Sequence, residues 1–315
     1  MRNSKIMTMS EAVERFIFDG ATIGVGGMNA VGSPTAIAHE IVRQKKKNLT
    51  LLGCNLSIAA DILIGAGLVK KCESGTCNIG FRGIPSMAYS ARKYYQEGKL
   101  EIEDYEHLAM VSRFLAGEMG LPFMPVMSSL GSDILTYKAP STEKKYEIID
   151  NPWNPGEKVV LMPAATPDVA IIHAQRVDEL GNVIMEGFVT HNPEMVRASQ
   201  KTIVSCEEII SSEKTREYPE MTTIPHIYIH AIVEQPWGSH PTATLRYYGC
   251  DVEHMRLYQK CAEAALKEGS SGMEKYENYL QEYILSCATF DDYLEKVGGV
   301  SRLIELKRIM REEME

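Results

Sequence analysis

The chain has 315 residues, with 33 Lys+Arg against 42 Asp+Glu for a net charge of −9, and it is 44% hydrophobic and 24% charged. This is the mixture of a folded globular protein of one large domain or two ordinary ones, which excludes disordered and fibrous architectures. The acidic balance argues against a nucleic-acid partner, because neutralising phosphates needs clustered Lys and Arg.

A helix opens near Thr8, where Thr8 and Glu11 have capping-box spacing, with Val13, Phe16 and Ile17 as its buried stripe and Gly20 as its stop. Residues 21–28 are a short β-prone run ending in glycines. Ser33 then reads as an N-cap with Pro34 at the first helical position, and the helix continues through Ile37, Ile41 and Val42. The basic cluster Arg43-Gln44-Lys45-Lys46-Lys47 falls where that helix should end and suits its dipole better than a phosphate. Residues 49–54 form another apolar run, and further candidate strands are 69–72, 159–162, 169–173, 202–206 and 227–233. Near-continuous apolar runs suit strands covered by helices on both faces. The expected fold is α/β, an open and mostly parallel sheet with helices on both faces plus a helical C-terminal extension.

Residues 1–250 are assigned to the α/β domain and 251–315 to the extension. A polar, proline-bearing segment at 137–158 reads as an insertion made of turns. In the extension, Tyr276, Tyr279, Leu280, Tyr283 and Ile284 share one helical stripe. Such a stripe serves core packing first, with subunit contact and ligand stacking as alternatives. Thr289 with Asp292 marks another helix start, and Gly298-Gly299 its stop. Seven cysteines are scattered singly with no C-x-x-C pair, so no metal site is expected and reduced thiols in a cytoplasmic protein are. The chain opens on no charged-then-apolar signal pattern, and no run approaches the ~18 apolar residues of a membrane span.

Gly24-Val25-Gly26-Gly27-Met28-Asn29-Ala30-Val31-Gly32-Ser33-Pro34 is the first segment with chemistry in it. Glycines between a strand end and a helix start let backbone N–H groups approach an anion or a developing oxyanion. The alternative is a tight βα turn without a ligand. The G-x-G-x-x-G spacing fails, because Asn29 stands three residues beyond Gly26, and no Gly-Lys-Ser/Thr follows. Dinucleotide and P-loop chemistry are both disfavoured.

Gly26-Gly27-Met28 leading to Gly32-Ser33-Pro34 resembles the G-G-F-x-x-x-G-x-P loop of the family I coenzyme A transferases. Further motifs follow in the family's order, among them 120–125 (GLPFMP), 149–152 (IDNP), 155–160 (PGEKVV), 168–175 (DVAIIHAQ), 206–210 (CEEII) and 238–241 (GSHP). Within the family the pattern resembles the α (A) subunits of the glutaconate type. The resemblance implies that a glutamate carboxylate attacks an acyl-CoA thioester, that CoA is a substrate and not a permanently bound cofactor, and that acyl-CoA and a dicarboxylic acid exchange it. It further implies that the glutamate comes from a β subunit in a heterotetramer or hetero-octamer. Two other functions are open: a hydrolase or decarboxylase acting on a dicarboxylyl-CoA, and a non-enzymatic sensor of CoA esters or sugar phosphates.

On this reading Gly26, Gly27, Met28, Asn29 and Gly32 line the substrate and CoA site. Glu73-Ser74-Gly75 resembles the motif around the β-subunit nucleophile, but that motif ends the second strand, a place held here by residues 49–54. Glu73 is therefore the weaker candidate nucleophile, and a surface or interface carboxylate is the alternative. The loop 76–86 covers the family's acyl pocket but differs by two extra residues and by Arg82, which suits bidentate capture of a substrate carboxylate or is a solvated loop arginine. His107 stands where related ring-opening hydrolases carry a functional glutamate; it is a candidate acid–base group or a partly buried structural histidine. Ser129 and Gly131, near Arg113, Ser128 and Ser132, offer backbone N–H groups to a carboxylate. His173 and Gln175 end a strand and read as a ligand-facing pair or a hydrogen-bonded corner, while His191 and His240 read as loop histidines.

Overall fold

The computed structural model describes residues 4–80 and 87–314. Glu11 N–H donates to Thr8 Oγ1 at 3.2 Å and Thr8 N–H to Glu11 Oε2 at 2.9 Å, the expected reciprocal cap, and this opens α1 (Met9–Phe16). There follow β1 (Thr22–Val25), α2 (Thr35–Arg43), β2 (Leu49–Leu56), α3 (Ile58–Gly65), β3 (Val69–Cys77), α4 (Tyr89–Gln96), β4 (Glu101–Asp104) and α5 (His107–Glu118). The middle of the chain holds β5 (Phe123–Val126), β6 (Glu147–Asp150), β7 (Lys158–Pro163), β8 (Val169–Asp178), β9 (Val183–Ile184), α6 (Asn192–Ala198), β10 (Lys201–Ile210), α7 (Ser212–Glu217) and β11 (Ala231–Glu234). The C-terminal helices are α8 (Val252–Lys267), α9 (Gly269–Leu280), α10 (Phe290–Lys296) and α11 (Gly299–Met314).

The main sheet runs β11-β10-β8-β1-β2-β3-β4 with every neighbouring pair parallel, and the short β9 lies antiparallel to β8. Its central strands are buried on both faces, which is why their sequences are apolar runs and not alternations. Residues 159–162 do not join this sheet. They lie in β7, the middle strand of a separate antiparallel sheet ordered β5-β7-β6. β6 falls inside the 137–158 segment, where only turns were expected; all four of its residues are exposed, so it carries no apolar period. Residues 227–233 divide into a 3₁₀ turn at His226–Tyr228 and β11.

Ser33 is not the cap of α2. Pro34 holds that place without a side-chain bond, and Ser33 Oγ instead accepts the Ala59 N–H at 3.3 Å, joining the starts of α2 and α3. The tyrosine stripe of α9 packs inward: Tyr276, Tyr279, Leu280 and Ile284 are all buried. Against it, Tyr258 of α8 donates its hydroxyl to the buried Asp61 Oδ2 at 2.7 Å. His240 lies in a turn, as expected of a loop histidine, yet it is fully buried, with Tyr293 Oη at 2.7 Å from Nδ1 and Asp251 Oδ2 at 3.2 Å from Nε2. Arg302 of α11 clamps the same Asp251 with two bonds of 3.0 and 2.7 Å, so one carboxylate ties the last helix to the main fold. No helix among the described residues is long and apolar enough to cross a membrane.

Candidate functional site

In open parallel sheets, ligands bind beyond the carboxyl ends of the strands. Here that edge gathers the glycine loop after β1, the ends of β2 and β3, and the start of α5. Asn29 stands in the left-handed region at φ 50°, which asparagine tolerates. Its N–H donates to Asn55 Oδ1 at 2.7 Å, and its carbonyl accepts the Ser57 hydroxyl. Asn55 is buried and passes its own amide protons to Thr76 Oγ1 at 2.6 Å and Asn78 Oδ1 at 3.3 Å. Thr76 Oγ1 lies 3.3 Å from Nε2 of the exposed His107. The ring rests over Gly75, where any Cβ would come within 2.3 Å of His107 Cδ2 and 2.8 Å of the Cys54 carbonyl. Glycine at 75 is what lets the imidazole approach the strand so closely.

The loop's backbone differs from the expected anion cradle. Gly26 N–H donates to Ile171 O (3.0 Å), Gly27 N–H to Asn192 Oδ1 (3.2 Å) and Gly32 N–H to Ala243 O (2.8 Å), while Met28 and Val31 bond to each other. These donors are turned into the protein, so the glycines serve close packing. A Cβ at Gly27, where φ is +84°, would sit 2.6 Å from Gly32 O, and one at Gly26 would sit 2.6 Å from Asn192 Oδ1. The loop is a rigid wall.

Glu73 points elsewhere. It lines a cleft of about 400 Å³ with Thr22, Thr50, Glu101 and Arg113, at the end of the sheet where β1, β2 and β4 begin. Arg113 Nη2 reaches Glu73 Oε2 at 2.8 Å and Lys71 Nζ reaches Oε1 at 3.2 Å. Burial pushes the Glu73 carboxyl up, but the Arg113 and Lys71 charges outweigh it and hold it below the usual glutamate range. The second-strand position at which the resemblance puts a nucleophile in the β subunit belongs here to Cys54. Burial, with Glu194 and Glu106 nearby, pushes that thiol up to about 12, so it is inert at neutral pH.

The coenzyme A transferase family model matches residues 6–235. The chain belongs to the coenzyme A transferase family. It is 34% identical over 314 residues to the α (A) subunit of the glutaconate CoA-transferase of Acidaminococcus fermentans, covering 96% of this chain and 95% of that protein. The crystal structure of the glutaconate CoA-transferase from that organism superposes with a TM-score of 0.89 at 33% identity, over 96% of this chain and 95% of that one. A protein of Archaeoglobus fulgidus is 37% identical over 97% of this chain, which spans 65% of that protein's length.

Within this transferase fold the other expected residues scatter. Arg82 lies outside the described residues. Ser129 is fully buried and its hydroxyl finds no partner among the described residues, while its carbonyl accepts the Ser132 hydroxyl at 2.8 Å. Gly131, at φ +78°, is exposed on the same loop, which is tied to the start of α5 through Ser128 and Glu106. Both Glu106 oxygens also accept N–H groups of α5, from Leu108 at 2.7 Å and Ala109 at 2.6 Å. His173 is buried between Glu207 (2.7 Å) and Ser205 (2.8 Å), and Gln175 donates to the Glu186 and Leu245 carbonyls, a hydrogen-bonded corner.

Asn55 and Asn192 escaped the sequence reading, Thr76 entered it only as the first residue of the 76–86 loop, and His191 only as a loop histidine. His191 is buried, stacked 5.9 Å from Phe114, and its Nε2 accepts the Cys54 N–H at 3.4 Å. Burial holds it down at about 4, so it stays neutral. Asn55, the polar residue near the end of the apolar run of β2, was the available signal.

Proposed function

We propose that this chain is the α subunit of a glutaconate-type CoA-transferase, moving CoA between an acyl-CoA and a dicarboxylic acid. The nucleophilic glutamate comes from a β subunit, in a heterotetramer or hetero-octamer. One observation carries the reading: the strand end beside the glycine loop holds Cys54 and Asn55 and no carboxylate, while Glu73 is locked by two cations at the other end of the sheet.

The partner's carboxylate attacks the thioester carbonyl and expels CoA thiolate, leaving an acyl–glutamyl anhydride. The thiolate then attacks the glutamyl carbonyl, releasing the acid and forming a glutamyl thioester, from which the second acid takes CoA by the reverse steps. This chain supplies one wall of that pocket, with the rigid loop from Gly26 to Gly32 against the acyl group or CoA. His107 stands at its rim as a proton carrier, and Arg82 is the side chain for the second carboxylate of the substrate.

The purified chain alone transfers no CoA, activity appears once the β subunit is added, and borohydride traps a glutamyl thioester on that β subunit. Transfer by this chain alone, lost in Glu73→Ala, overturns the assignment. Hydrolysis or decarboxylation of a dicarboxylyl-CoA without transfer would replace the reaction while keeping the shared site.

A further inference from the structure

We propose that Asn55 and Thr76 are positioning residues that hold the His107 imidazole in one tautomer, with the proton on Nδ1 and the Nε2 lone pair turned into the protein. The meaning of this for catalysis rests on the composite-pocket reading above; the tautomer itself does not.

The chain of hydrogen bonds has a direction because its first donor is a backbone N–H, which has no choice. Asn29 N–H donates to Asn55 Oδ1 at 2.7 Å, and this fixes which end of the amide is oxygen. Asn55 Nδ2 must then face Thr76 and Asn78, and it donates to Thr76 Oγ1 at 2.6 Å. That bond takes one lone pair of the hydroxyl and leaves its proton to be placed. Among the described residues the remaining partner of Thr76 Oγ1 is His107 Nε2, 3.3 Å away. Donating there keeps the hydroxyl proton on an acceptor of the chain; the opposite arrangement, Nε2–H to Thr76, would leave it to solvent alone.

The Cδ2–Nε2 edge of the imidazole packs on Gly75, with Nε2 the ring nitrogen beside Thr76. Nδ1 makes no hydrogen bond among the described residues, and His107 is exposed. The result is an N–H aimed outward and set by the loop residue Asn29 through two intermediaries. Any displacement of the loop would pass to the ring through the same bonds. In the composite pocket this N–H meets a carboxylate or a developing oxyanion as donor.

The full chain, labelled with ¹⁵N-histidine, tests this by long-range ¹H–¹⁵N correlation at alkaline pH, with His107→Gln identifying the signals. The expected spectrum has Nε2 as the unprotonated, pyridine-type nitrogen and Nδ1 as the protonated one. Thr76→Val removes the donor and moves the proton to Nε2, whereas Thr76→Ser keeps the wild-type pattern. Asn55→Asp keeps the acceptor for Asn29 but draws the Thr76 proton to its carboxylate, so Nε2 becomes protonated there too. A protonated Nε2 in the wild type, or a Thr76→Val spectrum identical to it, overturns the proposal. Retained CoA transfer in His107→Gln with its β subunit would remove His107 from the reaction and leave the tautomer result standing.

Discussion

Replacing Gly27 by alanine separates two costs that glycine avoids, and Gly20 supplies the reference. Both have φ in the left-handed region, +84° and +88°, where an L-residue costs about 1–2 kcal/mol. A Cβ at Gly20 meets nothing within 4 Å, so Gly20→Ala should lose only that amount. A Cβ at Gly27 would lie 2.6 Å from Gly32 O and 2.8 Å from Ser33 N, backbone atoms that cannot swing aside. Gly32 is itself held by its N–H bond to Ala243 O, so the overlap adds about 1–3 kcal/mol. At roughly 2 °C per kcal/mol for a chain of this size, Gly27→Ala melts about 2–6 °C below Gly20→Ala. Thermal unfolding followed by circular dichroism gives the difference, and CoA transfer with the β subunit shows whether the wall has moved. Gly27→Ala melting together with Gly20→Ala, at full transfer activity, would refute the rigid-wall account.

The buried charges set three further outcomes. Burial depresses His191 to about 4 and His254 to about 3, below the 6.5 of an exposed histidine. The unfolded chain therefore binds more protons than the folded one between those limits, and stability present above pH 6.5 is lost as pH falls. By pH 4 each histidine accounts for about 3 kcal/mol, so urea midpoints drop steeply over that range and less steeply in His254→Gln; equal slopes refute the assignment. Glu73→Ala leaves Arg113 without its carboxylate and costs about 3 kcal/mol in urea unfolding while transfer by the complex persists. Arg302→Met frees Asp251 from its clamp at on the order of 2 kcal/mol, and limited proteolysis of the chain then cuts α11 first; an unchanged digestion pattern counts against that tether.

What the sequence made legible follows the physics of each element. Buried parallel strands announce themselves as apolar runs, so β1, β2, β8 and β10 were readable. β4 was not, because Glu101-Ile102-Glu103-Asp104 is mostly charged; its buried Glu103 is satisfied by an ion pair with Lys145 at 2.8 Å, more than forty residues on, and by the Ala139 N–H at 2.7 Å. The glycine loop was readable as a loop, but the direction of its N–H groups depends on Asn192 and Ala243, which the fold alone brings near. His191 and His240 belong to no periodic pattern, so nothing in their neighbourhood reveals that they are buried. His240, Tyr293 and Arg302 stand far apart in the chain, yet they form one network around Asp251.

The two ends of the sheet divide the chemistry. A carboxylate that attacks a thioester must bring an unshared, basic lone pair to the carbonyl, and pairing with cations lowers that basicity. Glu73, gripped by Arg113 and Lys71, is poorly placed to do so. The opposite end offers amides, a hydroxyl and an imidazole, and its nearby carboxylate, Glu106, is occupied by the first N–H groups of α5 and by Ser128. The loop and amide protons there are already spent within the chain, so on the proposed reading a glutamate arriving from another subunit would meet the outer edge of His107.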